Sequence, residues 1–163
     1  MAILVTGTPG TGKSVIAKRL AKLLNYTYLD VNKLIRNNKL YDSYDKKRRC
    51  YVVDEKKLAK TLVGFIKNNN KIVIDSHLSH FVPPRYVEYC IVTKCSLKKL
   101  KNRLEKRNYH AAKVRENLDS EIFDTCLVEA RDLKHRIKII DTTKKISDKE
   151  LRKIIKEKII KNG

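Results

Sequence analysis

Residues 7–14 read Gly-Thr-Pro-Gly-Thr-Gly-Lys-Ser and follow directly on the apolar run Ala2-Ile3-Leu4-Val5. This is a complete phosphate-binding loop, and it constrains the chain to a buried strand, a tight loop and a helix in that order. The glycines let successive backbone N–H groups turn towards the α- and β-phosphates of a nucleoside triphosphate. Lys13 reaches the β/γ oxygens and the Ser14 hydroxyl is placed to ligate Mg²⁺. The helix that follows aims the positive end of its dipole at the same phosphates. Val15–Leu24 supplies that helix, with Ile16, Leu20, Leu23 and Leu24 recurring on one face.

Apolar periodicity predicts an alternation of strand and helix along the remaining chain. Tyr26–Leu29 reads as a short strand, with Asp30 capping a helix to about Asn38. A polar stretch from Tyr41 to Arg49 has no periodicity. Asp54 caps a helix carrying Leu58, Leu62, Phe65 and Ile66 on one side, stopped by Asn68-Asn69-Asn70. Lys71–Asp75, Tyr89–Val92 and Ile137–Ile140 read as strands, Leu97, Leu100 and Leu104 as a helix, and Leu151, Ile154, Ile155 and Ile159 as a closing helix capped by Ser147. Short apolar strands separated by helices imply an α/β fold, a parallel sheet covered on both faces.

At 163 residues the chain suits one domain, which buries roughly 70% of its unfolded surface without staples. Cys50, Cys90, Cys95 and Cys126 have no zinc-type spacing and read as reduced thiols of an intracellular, cytoplasmic protein. No run resembles a signal peptide or a membrane span, so no membrane partner is expected. The formal net charge of +20 has two readings. Lysines alternating with apolar core positions make a solvated helix surface, whereas a basic face would meet RNA phosphates with a steep salt dependence. The aromatic residues form no repeated stacking platform along the sequence.

Two further constellations carry chemistry. Asp75 ends an apolar strand, where a carboxylate beside a phosphate loop orients Mg²⁺ and its waters, or merely caps a turn. His77, two residues on, either orients or deprotonates a water or is structural. Arg103 and Arg107 share the C-terminal end of a helix. Their guanidinium groups either stabilise charge on a transferring phosphoryl group or compensate the helix dipole.

Taken together, the loop Gly7–Ser14, Arg36 ahead of Leu40-Tyr41-Asp42-Ser43-Tyr44-Asp45, Asp75-Ser76-His77, Arg103–Tyr109 and Glu116–Phe123 resemble the adenylate kinase isoenzyme 6 family. The resemblance covers essentially the whole chain and implies a nucleoside monophosphate kinase fold with a five-stranded parallel sheet. It implies triphosphate contacts at Gly10, Gly12, Lys13, Ser14 and Val15, a lid arginine at Arg107, and a monophosphate contact at Arg36. The monophosphate-binding segment is expected at about 30–53 and the lid at about 106–116. Asp75 and His77 match the family's Asp-x-His, the feature linked to an ATPase side reaction. Ser14 stands where the family commonly has threonine, which keeps the hydroxyl. Ser76 and Leu78 depart from the human relative, so the backbone path near His77 is expected to differ. The implied activity is ATP- and Mg²⁺-dependent phosphorylation of AMP or another nucleoside monophosphate. The implied partner is an S11-family small-subunit ribosomal protein, bound transiently during late maturation of the small ribosomal subunit, with rRNA nearby.

Overall fold

The computed structural model describes residues 1–157. Its core is a five-stranded sheet in the order β2-β5-β1-β6-β7, built from β1 (Ala2–Thr6), β2 (Thr27–Asp30), β5 (Ile72–Asp75), β6 (Val87–Lys94) and β7 (Ile137–Asp141). Every pairing in this sheet is parallel. A parallel sheet needs cover on both faces, so its central strands read as continuous apolar runs rather than alternating ones. All five residues of β1 are buried accordingly.

The alternation of side chains along β1 divides the core. Ala2 and Leu4 face one cluster with Val31, Ile35, Leu58, Leu62 and Ile66, which come from α2 (Val31–Asn37) and α3 (Glu55–Asn68). Ile3 and Val5 face the other with Ile16, Leu20 and Leu151, from α1 (Lys13–Leu24) and α7 (Asp148–Lys156). A satellite cluster of Cys95, Leu100, Leu104 and Val114 joins α4 (Leu97–Glu105) to α5 (Ala111–Ile122).

The helix starts follow the caps expected from the sequence. Asp30 and Asp54 accept from the backbone of Lys33 and Lys57, and Ser147 forms a full capping box with Glu150. Phe65 packs on the core only partly buried. Ile159, expected on the closing helix, lies outside the described residues.

Two regions depart from the periodicity reading. The polar stretch after Tyr41 forms a hairpin, β3 (Ser43–Asp45) with β4 (Cys50–Val52), paired antiparallel. Both strands are three residues long and largely exposed, so no apolar alternation marks them. Helices α5 and α6 (Thr125–Asp132) fill the stretch between α4 and β7. α5 buries only Val114 and Glu121, too little for a periodic signal. Among the described residues, no helix is long and apolar enough to cross a membrane.

Candidate functional site

β5 and β6 lie on either side of β1, so the loop leaving β1 emerges between the carboxyl ends of three strands. Thr6 and Thr93 rise from these ends beneath the loop. The Thr93 hydroxyl donates to Thr6 O at 3.2 Å and meets Thr11 Oγ1 at 2.7 Å. Thr11 Oγ1 also bonds Thr8 O at 2.7 Å, and Thr142 Oγ1 donates to Thr11 O at 2.6 Å. The loop is thus held from below by hydroxyl groups.

Two glycines are there for space. A Cβ on Gly7, at φ +139°, would lie 2.5 Å from Thr93 Oγ1 and 2.6 Å from its carbonyl oxygen. On Gly10, at φ +96°, it would meet Leu100 Cδ1 at 2.8 Å. The backbone therefore packs against β6 and α4 at a closeness that any side chain would prevent.

Lys13 opens α1 and its Nζ donates to Thr8 O at 3.2 Å, so the ammonium already lies over the loop. Burial, with help from the Arg107 charge, lowers its pKa to about 8 against the pull of Asp75, Cys126 and Glu121. Anionic phosphate oxygens beside it supply the missing counter-charge. Asp75 ends β5 buried, in register with Val5 of β1 and Asp30 of β2. Its Oδ2 accepts from the Tyr28 hydroxyl at 2.8 Å. Burial and the Asp75 carboxylate push the Tyr28 phenol well above its ordinary pKa, so it stays a donor.

His77 lies just beyond β5, its imidazole pKa brought down to about 4 by burial and by the Lys13 and His80 charges. It is neutral at pH 7 and too weak a base to remove a proton from water efficiently, which favours orienting a water over deprotonating it. Beneath it, His80 is fully buried between Thr6 Oγ1 (2.8 Å to Nδ1) and Glu129 Oε2 (2.9 Å to Nε2).

The arginine pair divides. Arg103 donates to Gly10 O, Thr142 Oγ1 and Thr142 O, the last at 2.8 Å, so it ties α4 to the loop and to the turn after β7. Arg107 lies past the end of α4 and is exposed. With Gly10, Gly12, Val15 and Lys144 it lines an open cavity of ≈ 500 Å³ beside the loop. Arg36 is exposed on the last turn of α2 and makes no hydrogen bond or ion pair among the described residues. The structure thus gathers Gly10, Gly12, Lys13, Ser14, Val15, Asp75, His77 and Arg107 at the carboxyl end of the sheet, and no contact recorded among the described residues ties Arg36 to them.

The β3–β4 hairpin meets the start of α5. His110 Nε2 contacts Lys47 O at 3.1 Å, Lys113 Nζ contacts Arg49 O at 3.4 Å, and Arg48 Nε lies 3.3 Å from Glu116. Tyr41, Tyr44 and Tyr51 cluster on the same hairpin, with ring centroids 4.5 and 5.2 Å apart. Tyr28 was missed by sequence reasoning, and Glu121 entered only as part of the Glu116–Phe123 string, with no role assigned to it. Tyr28 carried one usable signal, a polar-tipped residue two positions before the strand-end Asp30.

A strand-borne phosphate loop, a buried strand-end carboxylate and cations over the loop on a 2-5-1-6-7 parallel sheet define a P-loop kinase of the nucleoside monophosphate kinase type. Its likeness in fold extends to a shikimate kinase from Acinetobacter baumannii in complex with shikimate, at TM-score 0.67 and 14% identity over 94% of this chain and 90% of that one. A family model described as an AAA domain matches residues 3–124. The adenylate kinase isoenzyme 6 homolog of Caenorhabditis elegans is 38% identical over 80% of this chain and 72% of its own length. That of Dictyostelium discoideum is 37% identical over 80% and 74%. The chain belongs to the adenylate kinase isoenzyme 6 family.

Proposed function

We propose that the chain transfers the γ-phosphoryl group of ATP to AMP or a related nucleoside monophosphate, giving two nucleoside diphosphates, and that water is a slower alternative acceptor. The observations that support this reading are a finished phosphate loop and a separate β3–β4 hairpin that closes on the start of α5. Family membership implies ATP as donor. The residues present fit Mg²⁺ as well: Ser14 lies in the first turn of α1, Asp75 ends β5 beside β1, and hard oxygen donors suit that ion. Among the described residues no three His, Cys, Asp or Glu side chains form a metal cage, so the phosphates would complete the coordination. When bound, Mg²⁺ neutralises charge on the β- and γ-oxygens. Lys13 and Arg107 hold the phosphoryl chain and its developing charge from two sides, and the loop N–H groups fix it without reorganisation. Arg36, exposed on the last turn of α2, is the proposed contact for the acceptor phosphate.

Hydrolysis needs a positioned water and AMP phosphorylation does not, so His77 serves the first reaction. His77→Gly is expected to lower ATP hydrolysis more than AMP phosphorylation; equal losses would make the histidine structural. Turnover with ATP alone and with ATP plus AMP decides between kinase and ATPase, and absence of ADP formation in both removes the reading.

The proposal extends, through the family, to late maturation of the small ribosomal subunit in the cytoplasm, by transient binding of an S11-family ribosomal protein. The net charge of +20 supports a site among rRNA phosphates. ATP with Mg²⁺ is expected to release that protein from wild type and not from Asp75→Asn. A pull-down with no complex in either nucleotide state leaves the kinase alone.

A further inference from the structure

Glu121 is a carboxylate near the C-terminal end of α5 with only 5% of its surface exposed. A buried carboxylate is costly unless its oxygens are bonded. Here Oε2 accepts from the Thr8 hydroxyl at 2.7 Å, and Oε1 accepts from Cys95 N at 3.0 Å and lies 3.0 Å from Lys94 Nζ. Lys94 is itself shared with Asp124. Three segments distant in sequence therefore converge on one side chain: the phosphate loop, the end of β6, and α5.

The partner in the loop is what gives the contact its meaning. Thr8 is buried, and its carbonyl oxygen accepts from Thr11 N at 3.1 Å, from Thr11 Oγ1 at 2.7 Å and from Lys13 Nζ at 3.2 Å. Thr8 O is thus the point about which the loop turns and over which the ammonium is held. The only side-chain bond that fixes Thr8 from outside the loop, among the described residues, comes from Glu121.

We propose that Glu121 is a positioning residue for the phosphate loop: through the Thr8 hydroxyl it fixes the carbonyl that orients Lys13, and so prepares the loop for the donor nucleotide. It touches no substrate. Its contribution belongs to donor binding, because a preformed loop loses less freedom when the phosphates arrive. The inference rests on the kinase reading only for its acceptor arm.

The experiment is calorimetric titration of the full chain with ATP·Mg²⁺, which needs no acceptor, followed by steady-state kinetics with AMP. Glu121→Gln keeps the shape and turns an amide N–H₂ towards donors that require an acceptor. Thr8→Val removes one hydroxyl and leaves the carboxylate bonded to Cys95 and Lys94. We expect Glu121→Gln to weaken ATP·Mg²⁺ binding about tenfold and Thr8→Val roughly three- to tenfold, the range of a single lost hydrogen bond. The double variant is expected to be no weaker than Glu121→Gln alone, since both remove the same link. The KM for AMP should change less than about twofold, a split that general loosening of the fold would not produce. Additive losses, equal effects on both substrates, or unchanged ATP affinity would overturn the proposal. If Glu121→Gln does not fold, unchanged ATP affinity in Thr8→Val overturns it by itself. Wild type that binds ATP·Mg²⁺ but forms no ADP with AMP sinks the acceptor reading and leaves the binding arm intact.

Discussion

In the proposed reading, the donor side of the site and the acceptor side are built by opposite means. On the donor side, Gly7, Thr8, Gly10 and Thr11 are packed against strand ends and helices through short hydroxyl and carboxylate bonds among buried atoms. On the acceptor side, the hairpin and the start of α5 meet through three exposed contacts, two of them to backbone carbonyls. Exposed polar contacts are individually weak, so the acceptor wall is free to open, whereas the loop is fixed before any ligand arrives. Helix α5 touches both sides, with His110 as its cap at the hairpin and Glu121 near its other end at the loop.

The sharpest way to break this contrast is Lys13→Met. If the donor side owes its activity to charge placed in a finished frame, the variant should lose activity by on the order of 10³-fold or more, while its circular dichroism and melting temperature stay near wild type. A coupled ADP assay checks the first and a thermal melt the second. Near-normal turnover would remove Lys13, and with it the donor assignment.

Gly7→Ala tests the packing. Its Cβ would sit 2.5 Å from Thr93 Oγ1 on backbone at φ +139°, and nothing there can give except strand β6. The expected destabilisation is about 3 kcal/mol from strain and overpacking. For a chain of this length that is a fall of roughly 10 °C in Tm. The same substitution at Gly64, where nothing lies within 4 Å, should do no harm and gain helix propensity.

The donor side also carries a buried titrating floor. Burial, reinforced by His135, lowers the His80 pKa to about 4 from an ordinary 6.5. The adjoining Glu129 carboxylate opposes this, but burial raises its own pKa too, so the neutral imidazole prevails. Below pH 6.5 the unfolded chain takes up the proton first. Stability is therefore present above that pH and declines as pH falls towards 4. Between pH 7 and pH 5, His80 should account for a loss of about 1–2 kcal/mol. Urea midpoints at the two pH values measure it, and His80→Asn should flatten the difference. A wild type equally stable at both would show that the histidine is charged in its pair with Glu129.

How much of this could be read in the sequence follows the same divide. The strand-loop-helix unit, the caps at Asp30, Asp54 and Ser147, and Asp75 at its strand end were legible because each is a local pattern. Glu121 was not, since a carboxylate in a polar helix reads as surface until a partner 113 residues away covers it. The role of Arg103 was hidden likewise, because its acceptors are carbonyls of Gly10 and Thr142 that no residue pattern announces. The hairpin escaped because its stability lies in backbone pairing and the Tyr41–Tyr51–Tyr44 cluster, not in an apolar face.

The smallest effect is expected on the acceptor side and therefore defines it. Arg48 reaches Glu116 at 3.3 Å and Asp45 at 3.8 Å, with its side chain 62% exposed. Arg48→Ala should then leave Tm within about 1–2 °C of wild type, because an exposed pair contributes less than about 0.5 kcal/mol. The donor side does not touch this contact, so the KM for ATP should be unchanged. The KM for AMP should shift by about two- to threefold, since the contact biases how often the hairpin lies against the lid. Glu116→Gln should reproduce the shift, and the double variant should add little to it. A large loss of stability would make the hairpin as rigid as the loop. An equal shift in both KM values would mean that α5 carries strain from one side to the other, and the two walls would then act as one.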